Sequence, residues 1–527
     1  MTFRGMLTGS VALGLLAAAA PAALADNHGG VTPSNALVAA KIGSYDTGLF
    51  DEGGSEIVAY DAATQRLFIT NGNDDAVDVI DISDASAPKK VMALPIEAYG
   101  DGLNSVATKN GLVAIAVEGE EADSIGKVVF YDTNGTFQSD VDTCALPDMV
   151  TFTPDGSHAI VACEGEPNDE YTVDPEGGIA IIDLTKGAKN VTVTVAGFSA
   201  FEGKLPEGAR IGKPGATLAQ DMEPEYVAVS ADSKTAYVSM QENNAIAVVD
   251  LAKAEITDIW GLGWKDHSQV AMDASNKDGG INMKTWPVFG MYQPDSIAAF
   301  EVGGRTFIAT ANEGDARDYD GWSEEARVKD LTLDATAFPN AAELQQEENL
   351  GRLKTTTTMG DTDGDGDHDQ IFAYGARSFS ILDASGKMVY DSADILEKIT
   401  AAADPENFNS TDNENGSFDD RSDDKGPEPE AIATGVIDGV PYIFVGLERV
   451  GGIAIFSAED PTAPVFSSYI NTRDFSGDPE ASTAGDLAPE GIAFISAEDS
   501  PTGAPLLAVA FEVSGTTALF ELQPGSS

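Results

Sequence analysis

Cysteine, histidine and basic residues are all scarce in this chain. Its 527 residues include 2 Cys and 4 His. Two cysteines cannot complete a zinc site, and His28, His158, His267 and His368 are too scattered to supply the missing ligands. No G-x-S-x-G segment occurs, so the usual sign of a hydrolase nucleophile elbow is missing. Lys and Arg total 30 against 87 Asp and Glu, a formal net charge of −57. A surface this poor in cations cannot neutralise a phosphate backbone, which excludes nucleic acid as a partner. Beyond the N-terminus no stretch is long and apolar enough to cross a bilayer, so the mature chain is expected to lack an integral membrane segment.

The N-terminus itself reads as a secretory signal. Arg4 is its cationic start, Met6 to Ala20 its apolar stretch, and Ala23-Leu-Ala25 a small-residue cleavage site before Asp26. The expected layout is a signal peptide over 1–25 and one domain over 26–527, exported to the periplasm or beyond. In that compartment Cys144 and Cys163 form the natural disulfide pair, with two buried free thiols as the alternative.

What the chain has in abundance is a repeat. Tyr226 to Ser230 alternates, Ala231 to Lys234 turns, Thr235 to Met240 runs back, and Ala245 to Asp250 follows a polar loop. Three such short strands cannot bury two faces alone and must stack on copies of themselves. Copies open at residues 56, 105, 148, 225, 295, 430 and 490. The last stops after Thr516 to Phe520 without a fourth strand, while Leu37 to Ile42 is a spare strand at the front. The expected fold is therefore all-β, a seven-bladed β-propeller closed by the N-terminal strand, which would leave no open sheet edge. Long insertions interrupt it over about 312–371 and 400–429. A pair of β-sandwiches is the alternative that short, evenly spaced strands also suit.

Strand reversal puts the start of each first strand and the loop after each second strand on the same side. Those are the acidic places. The openers supply Glu56, Asp148, Glu225, Asp295, Glu430 and Glu490; the loops add Glu118, Glu164, Glu166, Glu242, Glu313, Asp315 and Glu448. Six opener acids around one mouth would repel unless cations or protons intervened. Calcium is the natural cation for clustered carboxylates outside the cell, and capping of loop amides by the same acids is the alternative. Glu223 and Glu428 stand next to openers as further candidate ligands. Arg317, Arg377 and Arg449 fall on this side too, and an arginine among metal-binding acids points to an anionic ligand such as phosphate; simple pairing with neighbouring acids is the other reading.

A separate loop, Asp361-Thr-Asp-Gly-Asp-Gly-Asp-His-Asp369, places Asp361, Asp363, Asp365, Asp367 and Asp369 at alternate positions with Gly366 sixth. That matches the first nine positions of an EF-hand calcium loop, although position twelve is Phe372 rather than Glu. The segment from Glu406 to Glu430 has the composition of a disordered acidic linker. It leads straight into an opener, however, and if ordered it would carry Arg421 and Lys425 over the mouth.

Three runs carry a family resemblance: Gln220-Asp-Met-Glu-Pro-Glu-Tyr226, Asn312-Glu-Gly-Asp-Ala-Arg-Asp-Tyr319 and Asp420-Arg-Ser-Asp-Asp-Lys-Gly-Pro-Glu-Pro-Glu430. Over about Leu37 to Leu522 the chain resembles the choice-of-anchor I family. The resemblance implies an exported propeller domain, calcium association, and kinship with bacterial members often labelled alkaline phosphatase. The Glu490-Gly-Ile-Ala opener is also similar to the phytase-related propellers. Two functions are expected from these readings. One is a calcium-dependent phosphoesterase, with Glu225, Glu313, Glu430, Arg317, Arg377 and Arg449 in the reacting site and an anionic phosphoester as substrate. The other is a non-catalytic, calcium-dependent binding or mineral-associated protein on the same scaffold.

Overall fold

The computed structural model describes residues 31–525; the proposed leader lies outside them. The fold is all-β, and the described residues include seven four-stranded antiparallel sheets. Five are plain meanders, for example Leu103–Lys109, Leu112–Val117, Ile125–Asp132 and Phe137–Ala145, and a sixth is a meander interrupted after Arg305–Asn312 and resumed at Ser378–Asp383. In the seventh, Pro489–Ile495, Leu506–Phe511 and Thr516–Pro524 are followed in space by Leu37–Asp46. That strand runs antiparallel to Thr516–Pro524 from Leu37↔Pro524 to Asp46↔Thr516, with one irregularity between Lys41 and Gly43.

The sheets stack in chain order through their first strands. Leu103–Lys109 touches Val58–Asp61 and Pro147–Phe152; Val227–Val229 touches Pro147–Phe152 and Ile297–Val302; Pro429–Ile437 touches Ile297–Val302 and Pro489–Ile495. Pro489–Ile495 in turn touches Val58–Asp61. Each neighbouring pair encloses its own apolar layer, including the last sheet against the first, where Val58 and Ile69 pack with Leu506 and Ala508. Middle strands are thus covered on both faces, which is why Leu112–Val117 and Leu506–Phe511 read as unbroken apolar runs instead of alternating.

Cys144 and Cys163 are bonded, joining the end of Phe137–Ala145 to the end of His158–Cys163 with Cα atoms 5.8 Å apart. The insertion after Arg305–Asn312 has a core of its own. Val328, Phe338, Leu344, Leu350, Leu353 and Ile371 pack on Met272, Trp286 and Val288, which come from the stretch before the fifth sheet. The segment that composition marks as a linker is ordered: the helix Ile395–Ala403 leads into turns in which Phe408, Asn409, Ser422 and Glu428 are fully buried. Arg377 explains this order. Its guanidinium donates to Ser422 O and Asp424 O, each at 2.8 Å, and to Glu397 Oε1 at 2.9 Å.

Candidate metal centre

The opener acids converge. Asp148, Glu225, Asp295, Glu430 and Glu490, from five different sheets, line one cavity of about 130 Å³ together with Asn104, Ser105, Tyr226 and Ser296. Local backbone irregularity aims them there. Pairing registers shift between Pro147 and Val150, Pro429 and Ile432, and Pro489 and Gly491, so Asp148, Glu430 and Glu490 sit in bulges. Two residues before the opener the chain turns left-handed, at Leu146 (φ 41°), Gln293 (φ 41°), Glu428 (φ 48°) and Ala488 (φ 60°). Such turns are strained for non-glycine residues, and bulges commonly redirect side chains next to functional sites.

The carboxylates have few partners. Glu225 Oε2, Glu430 Oε2 and Glu490 Oε2 are shielded from solvent and accept no hydrogen bond. Burial and then neighbouring acids raise the affinity for protons across the set. The Asp148 carboxyl is pushed up to about 7, while Glu225, Asp295, Glu430 and Glu490 rise well above the ordinary carboxylate range. Glu56 lies outside the cavity lining, beside it. Burial, with the Glu512 and Asp148 charges, lifts it to about 8.

Glu313 connects this cavity to a second cluster. Oxygens of Asp295, Glu313 and Glu430 lie within 4.8 Å of one another, as do those of Glu313, Glu428 and Glu448. Lys425 Nζ reaches Glu313 Oε1 at 2.6 Å and Glu428 Oε2 at 3.2 Å, and is 3.9 Å from the exposed Asp315. Gln241 Nε2 donates to Glu313 Oε2 at 2.9 Å. Arg449 closes the outer side, 3.1 Å from Glu428 Oε2 and 2.9 Å from Glu448 Oε1, and also pairs with Asp412. Three cations hold Glu428 ionised, with its proton affinity far below normal despite complete burial.

The remaining predicted residues are distributed as follows. Glu164 stands near Asp148, Glu166 and Glu242, whose charges add to burial in raising it. Glu223 is fully buried and pairs with Arg317, which also donates to Asp221 O at 2.7 Å. Arg317 and Arg377 are therefore committed to internal partners, and of the three expected arginines only Arg449 adjoins the acidic cluster. The physical reason is burial: a guanidinium shielded this well keeps its charge only by filling its forks with carboxylates and carbonyls.

The calcium-like loop does not gather its five acids into one set. Asp361, Asp363 and Asp365 form one exposed group, and Asp367 and Asp369 form another with Asp334. The bridge between Leu333 and His368 draws the second half toward Asp334, while Gly364 N and Gly366 N donate to Asp361 at 2.6 and 3.1 Å.

Glu448 is an expected residue and Glu512 is not, although the Glu512 charge adds to burial in raising Glu56 and Glu490. Both directly follow a second strand, as do Glu118, Glu164 and Glu313, so strict use of the repeat would have found Glu512.

The sequence pattern of the choice-of-anchor I domain matches residues 56–461. The chain belongs to the choice-of-anchor I family. Among relatives of this choice-of-anchor I chain, gigasin-3a of Magallana gigas is 35% identical over 193 residues, which cover 34% of this chain and 67% of the gigasin. The mesenchyme-specific cell surface glycoprotein of Strongylocentrotus purpuratus is 28% identical over 321 residues, covering 53% of this chain but 40% of that one. Among solved structures, the β-propeller domain of Myceliophteria thermophila Cps50 (Swd1) superposes with a TM-score of 0.42 at 9% identity, over 92% of this chain and 99% of that one. Kuenenia stuttgartiensis hydrazine synthase gives 0.45 at 12%, over 90% and 99%. Among the described residues, no helix of the choice-of-anchor I chain is long and apolar enough to cross a membrane.

Proposed function

We propose that the seven sheets are blades of a propeller closed by Leu37–Asp46, and that this propeller is an extracellular or surface-exposed calcium-binding protein whose metal sits at the acidic mouth. One observation carries the reading: five carboxylates from five sheets line one small cavity, and three of their shielded oxygens have no hydrogen-bond partner. The cavity's acidic donors are all carboxylates, with no imidazole or thiolate among the lining residues, which suits a hard divalent cation. Glu225, Asp295, Glu313, Glu430 and Glu490 would hold it. The surface location is supported by the relative named as a cell surface glycoprotein. Isothermal titration with calcium, on the wild type and on E225Q, E430Q and E490Q, tests this directly. Unchanged uptake in all three variants would remove the mouth as the site.

A second reading, phosphoester hydrolysis at the same mouth, is favoured by one further feature. A cavity of about 260 Å³ beside the acids is lined by Lys354, Arg421, Lys425 and Arg449, with Asp315, Glu325 and Asp424 among them, and by Tyr374, whose buried hydroxyl has no partner. These groups would hold a phosphoryl anion against the carboxylate cluster. Calcium, when bound, would supply Lewis-acid stabilisation of developing charge. With Arg317 and Arg377 engaged elsewhere, binding without catalysis is the better supported of the two. Release of phosphate from p-nitrophenyl phosphate and phytate, with calcium and then with EGTA, separates them. Activity that survives chelation would contradict a calcium-dependent reaction.

A further inference from the structure

Glu313, Glu428 and Glu448 form a cluster of three buried carboxylates, exposed by 8%, 0% and 5%. Oxygens from all three lie within 4.8 Å of one another, close enough to bind one ion together. Glu448 Oε1 faces Arg449, but Glu448 Oε2 is shielded from solvent and accepts nothing. Arg421 and Arg449 pair with Glu428 from outside, at 2.7 and 3.1 Å, and the cation between Glu313 and Glu428 is Lys425, whose Nζ contacts them at 2.6 and 3.2 Å. Lys425 is itself held in place, because Arg377 grips the carbonyls of Ser422 and Asp424 just before it.

We infer that Lys425 is a tethered counter-ion that fills a second divalent-cation position of the mouth, next to the one bounded by Asp295, Glu313 and Glu430. The inference rests on the mouth binding calcium, as proposed above. Two sets of three carboxylates share Glu313, an arrangement suited to a bridging ligand between adjacent ions. An ammonium is compact and singly charged, so it satisfies two of these acids and leaves Glu448 Oε2 unmatched. A divalent ion with its larger ligand number would engage all three. Being covalently attached, Lys425 competes at a high effective concentration, which keeps the second position closed to solution cations.

The test compares full-length wild type, K425Q, K425R and K425Q/E448Q by calcium titration and equilibrium dialysis. K425Q is expected to bind one calcium more per chain than wild type, while K425R and the double variant do not. Calcium uptake by wild type with no gain in K425Q overturns the inference and leaves the mouth reading intact. Absence of calcium uptake by wild type defeats the mouth reading, and the inference falls with it. An equal gain in K425R overturns it, since a cationic side chain would then not be what excludes the ion. If K425Q unfolds in EGTA, recovery of its folded circular dichroism in millimolar calcium supports the inference, and failure to recover overturns it.

Discussion

Lys425 Nζ donates to Glu313 Oε1 at 2.6 Å, across 112 residues of sequence. The contact joins the ordered segment after Ile395–Ala403 to the loop after Arg305–Asn312, and places a charge from one insertion on the acid that both carboxylate sets share. E313Q is therefore expected to weaken calcium binding more than any single opener variant, by about tenfold or more, corresponding to about 1.4 kcal/mol. Titration calorimetry against E225Q and E490Q decides it. A weaker effect for E313Q would deny it the shared role.

Repulsion among the mouth acids predicts opposite effects with and without metal. In EGTA, E430Q and E490Q should melt a few degrees higher than wild type, because each removes a carboxyl that must either stay charged or take up a proton in a crowded, partly buried set. In calcium the same variants should lose most of the metal-induced rise in melting temperature. Thermal melts in the two buffers give the result, and destabilisation of both variants in EGTA would refute the account.

Arg317 is buried against Glu223 and Asp221, so its removal is a stability event. R317M leaves the Glu223 carboxylate uncompensated and should cost about 3–5 kcal/mol in urea unfolding. If R317M kept wild-type stability and lost only a phosphatase activity, the guanidinium would be a substrate clamp after all.

A pH dependence arises away from the mouth. Burial lifts Asp273 from 3.8 to about 7 and Asp419 from 3.8 to about 8. Between the ordinary carboxylate pKa and these values the folded state binds more protons than the unfolded chain. Their contribution to stability is then complete at low pH and is lost as pH rises through about 7 to 8. Urea midpoints measured in EGTA should show a shallower fall with rising pH for D273N than for wild type. Parallel profiles would exclude Asp273 from the effect.

Much of the architecture was legible because each unit repeats the same problem. Strands such as Thr235–Met240 and Ala245–Asp250 have their turns and apolar runs in local sequence, and Leu37–Asp46 stands out as a strand with no local partner. The opener acids were legible for the same reason: a position at the start of a first strand keeps its place in every copy. The order of residues 406–430 was not, because composition counts its charges but cannot show Arg377 and Glu313 waiting to pair with it. Nor was the splitting of the Asp361–Asp369 loop, which depends on Asp334 arriving from a strand bridge outside it.

The sequence alone determined an all-β repeat, the strongly acidic balance and the side of each unit on which the acids fall. These follow from periodicity and strand reversal, which act over a few residues. Only the tertiary structure decided which acids share a cavity, which arginines are already spent on internal carbonyls and carboxylates, and that Lys425 comes to rest on Glu313. Those outcomes depend on contacts between residues far apart in the chain, where the cost of burying a charge selects its partner.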